Sequence, residues 1–367
     1  MPTIALDATY AIDPEPSGIA VYSRRLIASL AAIDSPHKFL LCYRVSRFNR
    51  RKYFLRPQKT PGAGGPQFAT RLYQEPFTFW LPFEARIFHS LAQRPPAFRF
   101  KREIVTVFDI FPINGRDYST PDFQRRFSAL LEDALARASR VITLSESTAC
   151  QLVDRLHVPR GRIRIIPGGV DLPTQLLNAE ERRAERERWV GAGNKMVLSV
   201  GVIQTRKNTM NMVRALAGLP QNYRLVLAGG NGHGSEEVHN FIRSDRLQSR
   251  IATPGYVQEH RLPLLYQAAS VFLFPSFEEG FGLPILEAMS YGTPVVASNT
   301  SCLPEVGGDA AIYADPHRPD EIAAQVERVV NDSELRERMV QKGLARAREF
   351  SWRRAAEETL EVYEELI

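Results

Sequence analysis

Cysteine is scarce in this sequence, with only Cys42, Cys150 and Cys302 among 367 residues. The three lie far apart and lack the close spacing of zinc ligands or of a disulfide framework. We therefore expect neither a structural zinc site nor a disulfide scaffold. Sparse, scattered cysteines are typical of proteins from a reducing compartment, so we expect a cytoplasmic location.

Long apolar runs are also missing, since no stretch approaches the roughly 20 residues that cross a bilayer as a helix. The N-terminal residues MPTIALDATY carry Asp7 inside their apolar run and no basic lead-in. They predict a first strand and not a signal peptide. The sequence has no GxxxxGK[ST] motif, which argues against a nucleotide triphosphatase. Its carboxylates are scattered, so we expect no metal site.

Acidic residues are absent between Pro36 and Gln74, where nine lysines and arginines occur. Phe48, Tyr53 and Phe54 are interleaved with them. This basic region (38–71) has two interpretations: a contact with anionic lipid or an anionic acceptor, or a solvated loop. Nucleic acid is not expected, because no nucleic-acid-binding motif accompanies the charge. The basic residues are Lys38, Arg44, Arg47, Arg50, Arg51, Lys52, Arg56, Lys59 and Arg71.

Strand-like apolar runs alternate with amphipathic helical stretches through both halves of the chain. This alternation predicts an α/β protein with two Rossmann-like, doubly wound parallel sheets facing each other across a cleft. We expect the first domain to span 1–175 and the second 176–351, with a C-terminal helix at 352–367 packing back on the first. The expected strands are Thr3–Leu6, Phe39–Tyr43, Arg86–His89, Ile104–Val107, Val141–Leu144, Ile163–Ile166, Met196–Val200, Leu225–Ala228, Thr253–Val257, Val271–Phe274 and Val295–Ala297.

The segment after Val271–Phe274 reads FEEGFGLPILE, a glycine-rich loop leading into a helix. We expect Glu279 in the loop, an exposed Phe281 between two glycines, and Glu287 in the first helical turn. Free amides and the positive end of the helix dipole suit hydroxyl and phosphate oxygens. For Glu287 the alternative is an acidic residue that merely stabilises a helix N-terminus.

Arg206 and Lys207 stand directly before Asn208, which we expect to cap the next helix. Two cations at a helix N-terminus suit a diphosphate, with free amides as further donors. The alternative is a pair of solvated cations, which would oppose the helix dipole at a cost of about 0.3–1 kcal/mol. Gly18 begins a helix after the first strand, a weaker indication of the same phosphate-binding geometry.

The segments RKN, PGYVQEHRLPLLYQAASVFLFPSFEEGFGLPILEAMSYGTPVVAS and CLPEVGGDAA together resemble the retaining glycosyltransferases of family 4, in group 1, which have the GT-B fold. Two glutamates with seven residues between them, here Glu279 and Glu287, are that family's signature. The resemblance extends over nearly the whole chain, through SGIAVYSRRLI, IFHS, VTVFDIFPI, RASRVITLSEST, IIPGGVD and the closing FSW.

The resemblance implies a role for each matching residue. Glu279 and the loop amides would hold the donor sugar, and Glu287 the ribose. Arg206 and Lys207 would stabilise the leaving diphosphate, with no metal or other cofactor. The remaining residues of the implied donor site are Gly18, Gly280, Phe281, Gly282, Leu283, Tyr256 and Val257. Retention in this family is usually ascribed to front-face attack through a short-lived ion pair, which requires no carboxylate nucleophile.

The sequence departs from the family pattern at two positions. Phe108-Asp109 stands where many relatives have His-Asp, which leaves Asp109 as the titratable catalytic candidate there. Val202 replaces an arginine that some relatives carry. His89 is equally compatible with a packed position and with a place in the site.

These observations predict transfer of a hexose, of mannose or glucose type, from a nucleotide diphosphate sugar to a hydroxyl of a glycan, glycolipid or polysaccharide precursor. The enzyme would be cytoplasmic or peripheral at the inner membrane face. The alternatives are a nucleotide-sugar-binding scaffold protein without turnover and a nucleotide-sugar 2-epimerase of the same fold. We expect Lys207→Ala and Glu279→Ala to abolish transfer with little change in melting temperature.

Overall fold

The computed structural model describes residues 2–57, 67–75, 77–78, 80–114 and 117–367. The strands are β1 Thr3–Asp7, β2 Lys38–Arg44, β3 Gln67–Tyr73, β4 Ile87–Ser90, β5 Arg102–Val107, β6 Arg140–Thr143, β7 Ile163–Ile165, β8 Lys195–Val200, β9 Tyr223–Ala228, β10 Ile251–Gly255, β11 Val271–Phe274, β12 Val295–Ser298 and β13 Ala311–Ala314.

The helices are α1 Gly18–Ala32, α2 Leu81–Glu84, α3 Pro121–Arg137, α4 Glu146–Leu156, α5 Ala179–Val190, α6 Thr209–Gly218, α7 Ser235–Ser244, α8 Leu262–Ala268, α9 Leu283–Ser290, α10 Leu303–Gly307, α11 Pro319–Asn331, α12 Ser333–Arg348 and α13 Trp352–Glu364. None of the helices in the described ranges is both long and apolar enough to cross a membrane.

The chain forms two compact units. The first contains Met1–Asn114, Pro121–Gly169 and Ser351–Ile367, and the second contains Gly115–Thr120 and Val170–Phe350. Each unit has one sheet, and every strand pair in both is parallel. The strand order is β3-β2-β1-β4-β5-β6-β7 in the first sheet and β10-β9-β8-β11-β12-β13 in the second. The predicted α/β class with two Rossmann-like sheets is confirmed.

Two edge strands do not appear among the predicted ones. β3 overlaps the end of the basic region, and six of its seven residues are half-buried or exposed. An edge strand with so little burial carries a weak apolar pattern in its sequence. β13 is only four residues long and pairs with β12. β13 (AIYA) is as short as β11 (VFLF), but two of its four residues are alanines, so its apolar pattern is weaker.

His89 on β4 is fully buried in the core of the first unit. Its Nδ1 lies 2.7 Å from the Tyr363 hydroxyl of α13, and its Nε2 lies 2.8 Å from Thr106 Oγ1. Burial lowers the pKa of His89 to about 3, so the ring is neutral at physiological pH. The structure therefore assigns His89 to packing, and it joins α13 to the first sheet.

In its described part, the basic region forms regular turns and ion pairs. Val45–Tyr53 forms 3-10 turns directly after β2. Arg44 pairs with Glu75 at 2.8 Å, Arg50 with Asp13 at 3.2 Å, and Arg71 with Glu84 at 2.8 Å. Part of its charge is therefore neutralised within the first unit. Lys59 lies outside the described residues.

Candidate active site in the second unit

The predicted cations lie in a loop between β8 and α6. Thr205–Lys207 forms one 3-10 turn, and α6 begins at Thr209. Asn208 occupies the N-cap position of α6, as expected, but its side chain makes no capping hydrogen bond to the helix. Asn208 has a left-handed backbone (φ +59°), and its Nδ2 donates to the carbonyls of Pro275 (2.9 Å) and Pro316 (2.7 Å). The side chain thus joins the loop at 201–208, here called the cation loop, to the loop after β11.

Arg206, Lys207 and Glu279 form one buried cluster. Arg206 Nη1 lies 3.0 Å from Glu279 Oε2, and Lys207 Nζ lies 2.6 Å from Glu279 Oε1. All three side chains are at most 15% exposed. The Lys207 ammonium also lies 4.7 Å from the centre of the Phe274 ring, a favourable cation–π contact. Residues expected to contact different parts of a ligand therefore contact each other directly.

The cluster fixes the charge of Glu279. Burial raises the pKa of its carboxyl, but the charges of Arg206 and Lys207 together outweigh burial and lower that pKa to about 2. Glu279 is therefore ionised at neutral pH and has no proton to donate. The cluster carries two positive charges and one negative charge, so it retains a net attraction for anions.

The backbone of Glu279 is held by two residues that sequence reasoning missed. Ser301 Oγ accepts from the Glu279 N–H (3.1 Å) and donates to the Glu279 carbonyl (2.7 Å). Cys302 Sγ donates to the same carbonyl at 3.2 Å. Cys302 is the first residue of the CLPEVGGDAA segment of the resemblance and Ser301 directly precedes it, which was the available signal. These bonds fix the loop that presents the carboxylate.

Phe281 was expected to be exposed, and the structure shows this to be wrong. Its side chain is buried and contacts the Phe350 ring edge-on at a centroid distance of 5.8 Å. Gly282 has φ +93°, and a Cβ there would lie 2.9 Å from Leu303 Cδ2. The left-handed backbone therefore favours glycine at 282, while the terminal methyl of Leu303 could shift to admit a Cβ. Gly280 is buried, and Leu283 begins α9 directly after Gly282.

Glu287 is the fifth residue of α9, so its expected position in the first turn is wrong. The Tyr266 hydroxyl of α8 donates to Glu287 Oε2 at 2.7 Å. Burial, followed by the charge of Glu287, raises the pKa of Tyr266 well above its usual value. Tyr266 therefore orients the carboxylate as a permanent donor, a role that sequence reasoning did not identify. Favourable interaction with the helix dipole at the N-terminus of α9 does not explain Glu287, because Glu287 lies beyond the first turn.

The other predicted site residues come from separate elements of the two units. Tyr256 and Val257 follow β10 in the second unit, and Tyr256 is 38% exposed. Gly18 and Asp109 belong to the first unit. Gly18 is exposed as the first residue of α1, and a Cβ added there would meet no atom within 4 Å. Asp109 is half-buried after β5, and its carbonyl accepts from Gln93 Nε2 at 2.7 Å.

A second glycine loop, Gly229–Gly234, packs tightly against the cation loop. The Gly230 carbonyl accepts from the Ile203 N–H (2.8 Å), and the Ile203 carbonyl accepts from the Gly232 N–H (2.9 Å). A Cβ at Gly229 would lie 1.9 Å from the Gly201 carbonyl oxygen. This loop therefore holds the cation loop through backbone hydrogen bonds, and the close contact leaves no room for a side chain at Gly229.

Two family descriptions match most of the chain between them. "Glycosyl transferases group 1" matches residues 181–346, and "Glycosyltransferase Family 4" matches residues 16–173. The O-antigen chain mannosyltransferase B of Escherichia coli is 33% identical over 269 residues, covering 72% of this chain and 71% of that protein. The serotype-specific mannosyltransferase WbdA of Escherichia coli is 26% identical over 276 residues, but the match covers only 34% of that protein.

Solved structures share the fold along the whole chain. Sucrose-phosphate synthase from Thermosynechococcus elongatus superposes with a TM-score of 0.76 at 21% identity, covering 100% of this chain and 99% of that one. Anabaena HepE, solved in complex with UDP-glucose, gives a TM-score of 0.76 at 16% identity and covers both chains completely. The chain therefore belongs to the group 1 glycosyltransferases of family 4, with the GT-B fold.

Proposed function

We propose that this glycosyltransferase moves a hexose, mannose in the first instance, from a nucleotide diphosphate sugar to a hydroxyl of a glycan, glycolipid or polysaccharide precursor. One observation carries the proposal: Arg206 and Lys207 converge on the ionised Glu279 at the carboxyl edge of a parallel sheet. Ligands of such sheets bind at this edge. The mannosyltransferase relatives support the choice of sugar.

The geometry suggests how the diphosphate would bind. Arg206 and Lys207 are engaged with Glu279, so an incoming diphosphate competes for the same N–H groups. As the glycosidic bond breaks, negative charge grows on the departing diphosphate. Cations already held in place stabilise that charge with little reorganisation. Glu279, partly released, then becomes free to accept from sugar hydroxyls.

We propose that the stereochemistry is retained without a covalent intermediate on Glu279. The carboxylate is held between two cations, which lowers its nucleophilicity, and its low pKa prevents it from acting as a general acid. We therefore assign it to binding and charge compensation, with the acceptor attacking the same face that the diphosphate leaves. Asp109 remains the proposed catalytic residue of the first unit.

We propose that the two cations perform the work that a metal performs in other transferases, and that catalysis needs no metal cofactor. Transfer measured with and without excess EDTA tests this directly. Equal rates support the proposal, whereas loss of activity that added Mg²⁺ or Mn²⁺ restores would contradict it.

The donor is tested by binding and by turnover. Thermal shifts with GDP, UDP, ADP and dTDP would identify the preferred base, and we expect GDP to give the largest shift if the sugar is mannose. Transfer from GDP-mannose to a mannose-terminated acceptor, followed by NMR of the new linkage, tests retention. An inverted anomer would reject the mechanism. Consumption of UDP-GlcNAc without acceptor would instead favour the epimerase.

We also propose that the first unit contacts a membrane surface peripherally. The basic turns Val45–Tyr53 follow β2, and an aromatic segment follows the adjacent β3, so both leave the same edge of the sheet. In that segment Phe77 is 67% exposed, Trp80 50% and Phe83 87%. Exposed aromatics beside cations suit an interface with anionic headgroups.

Co-sedimentation with anionic vesicles at low salt tests the membrane contact. We expect Phe83→Ser and Trp80→Ser to reduce binding several-fold, with little effect on stability because both side chains are exposed. Phe123→Ser, at an exposed aromatic on α3, is the control. Failure of the wild-type protein to bind would remove the membrane proposal and leave glycosyl transfer unaffected.

A further inference from the structure

A basic pocket lies at the opposite edge of the second sheet from the candidate active site. Its volume is about 780 Å³, and its lining includes Lys195, the first residue of β8, and Ser270 and Pro294, which precede β11 and β12. The pocket therefore lies at the amino ends of the strands whose carboxyl ends carry the cluster of Glu279. Its size is that of an ordinary small-molecule site.

Cations from three elements converge on this basic pocket. Arg182 and Arg186 lie four residues apart on α5, so they share one helix face. Arg336 comes from α12 and Lys195 from β8, and all four side chains are half-buried. Glu337 is the acidic residue of the lining.

These four cations are not neutralised by ion pairs. Two other cations of the lining, Arg338 and Lys342, pair with carboxylates outside the pocket. In contrast, within the described ranges no carboxylate oxygen lies within 4.0 Å of the charged nitrogens of Arg182, Arg186, Lys195 or Arg336. Burial of so many like charges without a partner is unfavourable.

Backbone carbonyls hold the arginines in place but use few of their donors. Arg182 donates from Nε to Leu177 O (3.0 Å) and from Nη2 to Tyr291 O (3.0 Å). Arg186 donates from Nε to Ala268 O (2.9 Å), and Arg336 from Nη1 to Val330 O (2.8 Å). Each guanidinium has five N–H groups, so most of them remain for a ligand.

Electrostatic repulsion among the arginines also favours a bound anion. Burial and the charge of Arg186 lower the pKa of Arg182, and burial and the charge of Arg336 lower the pKa of Arg186. Glu187 opposes this effect only in part for Arg186. The arginines remain charged and repel one another, so a bound anion would relieve the repulsion.

We infer that the basic pocket is a second anion site, distinct from the donor site, which binds a ligand with a diphosphate or similar polyphosphate group. Guanidinium forks match phosphate oxygens in bidentate geometry, and a ligand of charge about −2 to −4 would balance the four cations. The phosphate belongs either to a soluble effector or to a lipid headgroup.

Isothermal titration with inorganic pyrophosphate tests the site in full-length Lys207→Ala protein, whose donor site is impaired. We expect binding that Arg186→Gln/Arg336→Gln weakens at least tenfold. Arg348→Gln, on the same α12 but outside the lining, should change the Kd less than twofold. If the double variant fails to fold, Lys195→Gln replaces it, with an expected weakening of at least threefold. Among the described residues, no side-chain hydrogen bond or ion pair of Lys195 holds the fold.

Vesicles containing phosphatidic acid form the second arm. Pyrophosphate binding that depends on Arg186 and Arg336 indicates a soluble effector, and vesicle binding with the same dependence but no pyrophosphate binding indicates a headgroup. Either result supports the proposed anion site. Absence of binding in both arms, or a Kd unchanged in the double variant and in Lys195→Gln, overturns it. An acidic peptide that alone binds the pocket also overturns it.

Discussion

At the scale of single residues, Glu279 combines a binding role with a structural one. Its carboxylate is the counter-charge of two buried cations, so its removal leaves Arg206 and Lys207 close together without the negative charge that they share. We therefore expect Glu279→Ala to lower the free energy of unfolding by about 3 kcal/mol as well as to abolish transfer. This revises the expectation of an unchanged melting temperature that the sequence alone suggested.

Chemical denaturation followed by tryptophan fluorescence measures this effect. Glu334→Ala is the matched control, because it removes an exposed pair with Arg338 at 3.7 Å in the same unit. Such surface pairs contribute between 0 and about 1 kcal/mol. Equal stability of the two variants would show that the buried cluster contributes nothing to folding.

The same carboxylate makes stability depend on pH. The pKa of Glu279 is lowered to about 2 in the folded protein, from 4.5 in the unfolded chain. Its contribution is therefore complete above about pH 4.5 and is lost as the pH falls towards 2. One pKa unit corresponds to about 1.4 kcal/mol, so the loss is about 3 kcal/mol. Unfolding free energies at pH 6 and pH 3 should differ more for the wild type than for Glu279→Gln, and an identical pH dependence would contradict the assignment.

At the scale of elements, the cation loop depends on its neighbour, the loop Gly229–Gly234. An alanine at Gly229 would bring its Cβ to within 1.9 Å of the Gly201 carbonyl, so one of the loops must move. We expect Gly229→Ala to cost about 1–3 kcal/mol, as overpacking commonly does, and to reduce transfer by displacing Arg206 and Lys207. Gly230→Ala provides a control one residue away.

No atom lies within 4 Å of a Cβ built at Gly230, and its φ is not positive. Gly230→Ala should therefore leave both melting temperature and transfer rate unchanged. If both variants behave like the wild type, the tight contact between the two loops does not control the site. If both fail, the loop tolerates no side chain at all, and the contact at Gly229 is not the specific cause.

What the sequence could predict depends on how local each feature is. The run VFLF predicted β11 because four consecutive buried residues leave a clear pattern, and the FEEGFG loop followed from its glycines. In contrast, the contacts of Glu279 with Arg206 and of Glu287 with Tyr266 join separate elements. No local pattern specifies such contacts, so the sequence offered candidate residues but not their partners. The buried Phe281 was missed for the same reason.

At the scale of the whole molecule, the last helix of the chain completes the first unit. Trp352 on α13 packs edge-on against Tyr22 of α1 with ring centroids 5.9 Å apart, and Tyr363 lies 2.7 Å from His89 Nδ1. The chain thus returns to its first sheet after forming the second unit. The first unit therefore includes residues that follow the second unit in the sequence.

Tyr363→Phe removes only the hydroxyl that joins α13 to His89, and so tests whether this contact stabilises the first unit. The change leaves the Nδ1 of the fully buried His89 without its partner, at a cost of about 1–3 kcal/mol. We expect a lower melting temperature, faster proteolysis of the first unit and an unchanged affinity for nucleoside diphosphate in the second. Glu361→Ala, on the exposed side of α13, should match the wild type. Loss of nucleotide affinity in Tyr363→Phe would instead show that the two units are coupled through this helix.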